Sequence, residues 1–297
     1  MKVLVLGGTG TVGSELVRQL LDRKLDVMVL TRDVKKAAKL PSGARPVIGN
    51  LLEPEIVRSI FNDVDSVFLL NATTPTEAQE GIMAVNGARM AGVKKLVYLS
   101  AMGLENAPHL PHLGAKIAVE FAVKKSGIPY TILRPNNFFQ NDYWFREAIL
   151  NYGVYPQPIG DVGLSRIDVR DIAEAAVITL TSDKGEGETF NIVGAEALTG
   201  TRTAEIWSEA LGRKIVYGGN DLDNWERQTL NYLPAVLTFD FKLMYEFFQK
   251  EGCLAKDEDL DRQNKLLGHE PRRFEAFARE TASDWLQNPE KQNAANN

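Results

Sequence analysis

One cysteine, Cys253, and three histidines, His109, His112 and His269, are all that the 297 residues offer of the side chains that most often bridge, ligate or attack. A lone thiol cannot close an intramolecular disulfide, so a reducing compartment is expected. The histidines stand in no metal-ligand spacing with it, and no metal is expected. Basic charge is also in short supply: Lys and Arg number 34 against 39 Asp and Glu, for a net charge of −5. That balance argues against a general nucleic-acid surface. No apolar run is long enough to span a bilayer, and no charged-then-apolar leader stands ahead of Val3. A cytoplasmic protein without nucleic-acid or membrane partners is the expectation. Neither G-x-x-x-x-G-K-[ST] nor G-x-S-x-G occurs, which removes the usual phosphate-loop and nucleophile-elbow chemistries.

What is present is ordinary in bulk, 44% apolar and 25% charged, enough to bury one large core or two modest ones. The order lies in Lys2 to Leu21. Val3, Leu4, Val5 and Leu6 form an apolar block that suits a strand covered on both faces. Val12, Leu16, Val17, Leu20 and Leu21 then recur at helical spacing. Between them Gly8, Gly10 and Gly13 satisfy G-x-G-x-x-G, and Gly7, Gly10 and Gly13 satisfy the wider G-x-x-G-x-x-G. Glycines in that context give a tight turn, a backbone open to a pyrophosphate, and close packing of helix on strand. The helix N-terminus supplies free N–H groups for the anion. Dinucleotide binding by this loop, Thr9, Thr11 and Val12 included, is the first expectation.

A second strand, Asp26 to Thr31, ends at Arg32. The end of this strand meets the adenosine ribose, where an acid selects a 2′-hydroxyl and arginine suits a 2′-phosphate. Arg32, with Lys35 and Lys36 close behind, points to NADP(H). Asp33 stands one position late and has an alternative role as cap of a helix from Val34. Ala44 to Asn50 reads as a short strand leading through Leu51, Leu52 and Glu53 to a helix with Pro54 in its first turn. Val64 to Leu70 delivers Asn71, Ala72, Thr73 and Thr74 to the edge where ligands of open α/β sheets bind. Lys95 to Ser100 is the fifth strand. Tyr130 to Leu133, the sixth, brings Arg134, Pro135, Asn136, Asn137 and Phe138 to the same edge. Strands alternating with helices specify a doubly wound parallel sheet, a Rossmann fold. Beyond Asn151 the pattern turns irregular, so residues 1–151 are expected as the dinucleotide-binding domain. Residues 152–297 are expected as a smaller, mainly helical substrate lobe, with 165–194 returning to the sheet. The final QNAANN reads as a frayed polar tail.

Reduction of a carbonyl or quinone by hydride needs a proton and a charge to meet the developing oxyanion. Ser100, at a strand end, and Lys116, on the next helix, are placed for it. His112 is one helical turn before Lys116 and is a further candidate donor. Gly114 and the flanking Pro108 and Pro111 favour the other reading, a solvated loop histidine. Glu120, four residues on, is positioned to pair with Lys116 along the helix. Phe138, Phe139, Tyr143, Trp144 and Phe145 suit either a flat substrate or a core.

The ordered set GGTGTVG, TRD, LVYLSAMG, SGIPYTILRPNNFFQN, DVRDIAEAA and LLGHEPRRFEAFARE resembles the NmrA-like branch of the atypical short-chain dehydrogenase/reductases over most of the chain. The resemblance implies an NAD(P)-binding fold and cofactor contacts at Gly7, Gly10, Thr11, Val12, Gly13, Arg32, Asn71, Thr73, Lys116, Asn136 and Phe138. Asn50 stands where many relatives have an aspartate near the adenine. In short-chain dehydrogenases proper a tyrosine precedes the active-site lysine by four residues; here His112 holds that place. The family includes NADPH-dependent reductases of quinones and other small molecules. It also includes redox sensors that regulate a protein partner without turnover, so both readings follow.

Overall fold

The computed structural model describes residues 1–288, and the expected polar tail lies outside them. Nine strands are present among the described residues: β1 Lys2–Leu6, β2 Asp26–Thr31, β3 Ala44–Ile48, β4 Ser66–Leu69, β5 Lys95–Leu99, β6 Tyr130–Pro135, β7 Val154–Tyr155, β8 Thr189–Ile192 and β9 Val216–Tyr217. Helices α1 Thr11–Asp22, α2 Val34–Ala37, α3 Pro54–Ile60, α4 Glu77–Met90, α5 Pro111–Lys125 and α6 Arg146–Tyr152 alternate with the first seven of them. Helices α7 Val169–Thr181, α8 Gly200–Leu211, α9 Leu222–Thr229, α10 Ala235–Glu251, α11 Asp257–Leu267 and α12 Phe274–Gln287 follow. The chain forms two compact units, one of Met1–Pro135, Val169–Ile192 and Asp261–His269, the other of Asn136–Asp168, Val193–Leu260 and the residues from Glu270 on.

The first unit is a seven-stranded parallel sheet in the order β3-β2-β1-β4-β5-β6-β8. Alternate residues of its central strands serve opposite faces. Leu4, Leu6, Val67, Leu69, Leu96 and Ile132 share a core with Val57, Ile60, Val85, Ala88, Val119 and Val123 of α3, α4 and α5. Val3, Val5, Val27 and Val29 are equally buried and belong to the face covered by α1 and α7, which pack on each other. Burial on both sides explains why these strands are continuously apolar, each such side chain contributing about 1.5–3 kcal/mol. The strand order reverses between β1 and β4, the topological switch point at which such sheets bind ligands.

In the second unit, β7 and β9 form a short parallel ladder. Its core is aromatic: Trp207 stacks on Trp285 with centroids 4.9 Å apart, and Phe139 meets Phe274 edge-on. Within it Arg166 and Asp142, each 0% exposed, pair at 2.6 Å, and the Trp207 indole N–H donates to the same carboxylate. Phe139–Phe145 is a 3₁₀ segment, and Phe139 and Tyr143 pack on Phe277. Of the aromatic run Phe139 is thus core, Tyr143 is part-buried against it, and Trp144 is half exposed.

Candidate functional site

The β1–α1 turn is shaped by backbone crowding. Gly7 has φ +76°, and a Cβ there would stand 2.7 Å from the Leu70 carbonyl oxygen. A Cβ on Gly13 would fall 2.1 Å from the Gly7 oxygen. A side chain at Gly7 would strike the segment after β4, and one at Gly13 would force α1 away from the turn that precedes it. At Gly10 a Cβ would meet nothing closer than 3.4 Å, so its bareness serves the open side of the turn. Gly10 is also the N-cap of α1, in extended conformation, and contributes no side-chain cap. The first intrahelical bond runs from Ser14 N–H to the Gly10 oxygen. The Gly10 N–H donates to the Gly7 oxygen, which leaves the N–H groups of Thr11, Val12 and Gly13 without an acceptor in the helix at its positive end, an arrangement that receives an anion.

This turn opens into a cleft of about 350 Å³ lined by Gly7, Thr9, Gly10, Arg32, Asn50, Leu51, Asn71 and Ala72 of the expected set. Thr31, Asp33, Lys36, Gly49, Leu70 and Glu80 line it as well. Asp33 has the cap role: its carboxylate accepts from the Lys35 and Lys36 N–H groups, and these bonds hold its carboxyl below the usual range. Arg32 is 53% exposed and lies 3.7 Å from the carboxylate of Glu80, which accepts a 2.7 Å hydrogen bond from the Thr76 hydroxyl. The Asn50 side chain accepts from Leu52 N–H. Asn71 is buried, and its side-chain oxygen has no hydrogen-bond partner among the described residues. Thr11, Val12, Gly13 and Thr73 stand in the adjoining helix start and loop, Val12 and Gly13 buried beneath the turn.

Three expectations are corrected. Helix α5 begins at Pro111, so His112 is in the helix and shares a face with Lys116. Gly114 is no helix boundary; its α-carbon lies close to the loop before it, where a Cβ would meet the Pro108 oxygen at 3.3 Å. Third, Lys116 does not pair with Glu120. Its ammonium is buried against Glu77 in the first turn of α4, at 2.5 Å. Glu120 instead receives two hydrogen bonds at 2.8 Å from Arg134, which also pairs with Glu105. Burial pushes the Glu120 carboxyl up, but hydrogen bonds and the charges of Arg134 and Lys124 together outweigh it and leave it below the usual range. Burial, with the Glu77 and Glu120 charges, pushes the Tyr98 hydroxyl far up. Ser100 is buried just past the end of β5.

Pro135 ends β6 in the first unit, and Asn136 and Phe138 follow it as part of the second. Sequence spacing missed Glu77 and Glu80, two acids in the first turn of α4 whose position suggests only favourable placement near a helix dipole. It also missed that His269 Nε2 lies 3.2 Å from Glu174, with Asp171 close enough that one ligand atom from each of the three lies within 4.8 Å of the others. The fold joins residues far apart in sequence there.

The profile of the NmrA-like family matches residues 1–278. The chain belongs to the NmrA-like family. It is 32% identical to the NAD(P)H azoreductase of Xenophilus azovorans over 95% of this chain and 98% of that one. Its fold is shared with triphenylmethane reductase of Citrobacter sp., solved with NADP(H), at TM-score 0.81 and 23% identity over 94% and 99% of the two chains. It is likewise shared with the NADPH-dependent quinone oxidoreductase of Escherichia coli, solved with NADPH, at TM-score 0.82 and 22% identity over 96% and 99%. Mapped on the structure, the NmrA-like segments fall at strand ends and the elements beside them. TRD closes β2, LVYLSAMG runs off β5, and ILRPNNFFQN runs from β6 into the 3₁₀ segment. Among the described residues no helix is long and apolar enough to cross a membrane.

Proposed function

We propose that the chain is an NADPH-dependent reductase of a small quinone or carbonyl compound. One observation carries the reading: an uncapped helix N-terminus beside a glycine turn opens on the same cleft as Arg32 and Lys36. The first suits a diphosphate and the second a 2′-phosphate, two anionic groups of one coenzyme. In this reading Gly7, Thr9, Gly10, Thr11, Val12 and Gly13 take the diphosphate. Arg32 and Lys36 take the 2′-phosphate, and Asn50, Leu51, Asn71, Ala72 and Thr73 form the walls. The unpartnered oxygen of Asn71 gains a donor there. Pro135, Asn136 and Phe138, after β6, are assigned to the nicotinamide side.

The nicotinamide, when bound, supplies the hydride. The protein's part is charge and proton. Lys116 holds a positive charge in a buried position, and Glu77 fixes the ammonium there. Such a fixed charge stabilises a developing oxyanion without reorganisation. His112, one turn earlier on the same helix, and Ser100 are the assigned proton donors. The reading draws support from relatives named as reductases of azo, triphenylmethane and quinone compounds.

The test is NADPH consumption by purified protein across a panel of quinones, azo dyes and aldehydes. Acceptor-dependent oxidation is expected. Tight coenzyme binding with no acceptor reduced would overturn the enzyme reading in favour of a sensor acting through a protein partner.

A further inference from the structure

The rim of the cleft carries more charge than a phosphate receptor needs. Four ionic side chains line it, Arg32, Asp33, Lys36 and Glu80, and their formal charges sum to zero. Asp33 is committed to capping α2. Glu80 is different: it comes from the first turn of α4, is 8% exposed at its side chain, and has its carboxylate 3.7 Å from the Arg32 guanidinium. The hydroxyl of Thr76 donates to it at 2.7 Å, and Thr76 in turn is 3.2 Å from the Thr74 hydroxyl. Its carboxylate is therefore fixed beside the very group that would meet a 2′-phosphate.

An acid in this place has two consequences of the same sign. A coenzyme bearing a 2′-phosphate brings a second anion close to Glu80, and repulsion opposes the attraction of Arg32. A coenzyme bearing a 2′-hydroxyl brings a donor, for which a carboxylate is the acceptor that NAD-selective folds place at this ribose. In this chain the end of β2 carries arginine, and the acid arrives from another element. We infer that Glu80 is a specificity-determining residue that narrows the preference for NADPH and lets NADH compete for the same cleft. The inference rests on the dinucleotide reading above and deepens it.

Titration calorimetry of the full chain with NADPH and with NADH tests it, read as the ratio of the two dissociation constants. Glu80→Gln keeps the acceptor for Thr76 and removes the charge. It is expected to raise the preference for NADPH by about fivefold, the size of one charge at the rim of a solvated cleft. Glu80→Asp, which retains the charge, is expected to stay near the wild-type ratio, and a melting curve of each variant verifies that it is folded. An unchanged ratio in folded Glu80→Gln would overturn the inference. A fall would also overturn it, making Glu80 a tether for Arg32 instead. If the wild-type protein binds neither coenzyme, the dinucleotide reading fails and this inference with it, whereas wild-type binding with an unmoved ratio sinks only the role of Glu80.

Discussion

Lys116 was expected as a cation at the cofactor cleft, and the partner that the fold gives it was not legible. Helical spacing offers Glu120, whereas the fold supplies Glu77 from 39 positions away, because α4 and α5 pack side by side. Pairing by sequence separation works only within one helix. Glu120 is drawn off by Arg134, which emerges from the end of β6. The Lys116–Glu77 pair is almost wholly buried, so removing one partner strands the other charge in a poorly solvated interior. Lys116→Met is expected to destabilise the protein by about 3–5 kcal/mol. The double replacement Lys116→Met with Glu77→Gln is expected to recover most of that loss. Urea denaturation of both variants measures it, and a single variant as stable as the double would show that the pair carries no such weight. The position of Arg32 and the cap role of Asp33 were readable from the chain because both are local: one directly follows a strand, the other begins a helix.

At the level of elements, the β1–α1 unit was readable because a continuous apolar block gives way to apolar residues at helical spacing across three glycines. Its geometry gives the glycines distinct duties, and Gly13 has the least room. Alanine is the better helix former by about 1 kcal/mol. At Gly13, however, the added methyl would collide with backbone of the same turn rather than with a side chain that could swing away. Gly13→Ala is expected to cost about 1–3 kcal/mol through overpacking. Because the turn must shift to accommodate it, NADPH affinity should fall at least about tenfold. Fluorescence titration checks the affinity, and undiminished binding would contradict the crowding argument. Helix α5 shows the opposite case. Gly114 seemed to end it, yet Pro111 marks its first turn, the same signal that locates α3 at Pro54. A glycine within a helix can record a neighbouring loop's approach instead of a boundary.

At the scale of the whole molecule, the parallel sheet was visible in the alternation of strand and helix. A mainly helical C-terminal lobe was also expected, but its core was not legible, because it rests on Arg166, Asp142 and aromatic side chains scattered from Phe139 to Trp285. That unit also holds buried acids whose ionisation weakens it at alkaline pH. Burial pushes the Cys253 thiol up to about 11 and the Tyr217 and Tyr245 hydroxyls up to about 12, from ordinary values of 9.0 and 10.0. The unfolded chain releases these protons first, so their contribution is complete below pH 9.0 and is lost as pH rises through about 12. The melting temperature is expected to fall across that window, and a flat profile would contradict the burial of these groups. The central claim concerns the cleft, and calorimetric titration of wild type and Arg32→Ala with NADPH and NADH tests it most directly. The account expects NADPH to bind the wild type more tightly than NADH. In Arg32→Ala it expects NADPH affinity to drop on the order of 10- to 100-fold, with NADH nearly unaffected. An equal loss for both coenzymes, or no binding heat from either with folded wild-type protein, would contradict it.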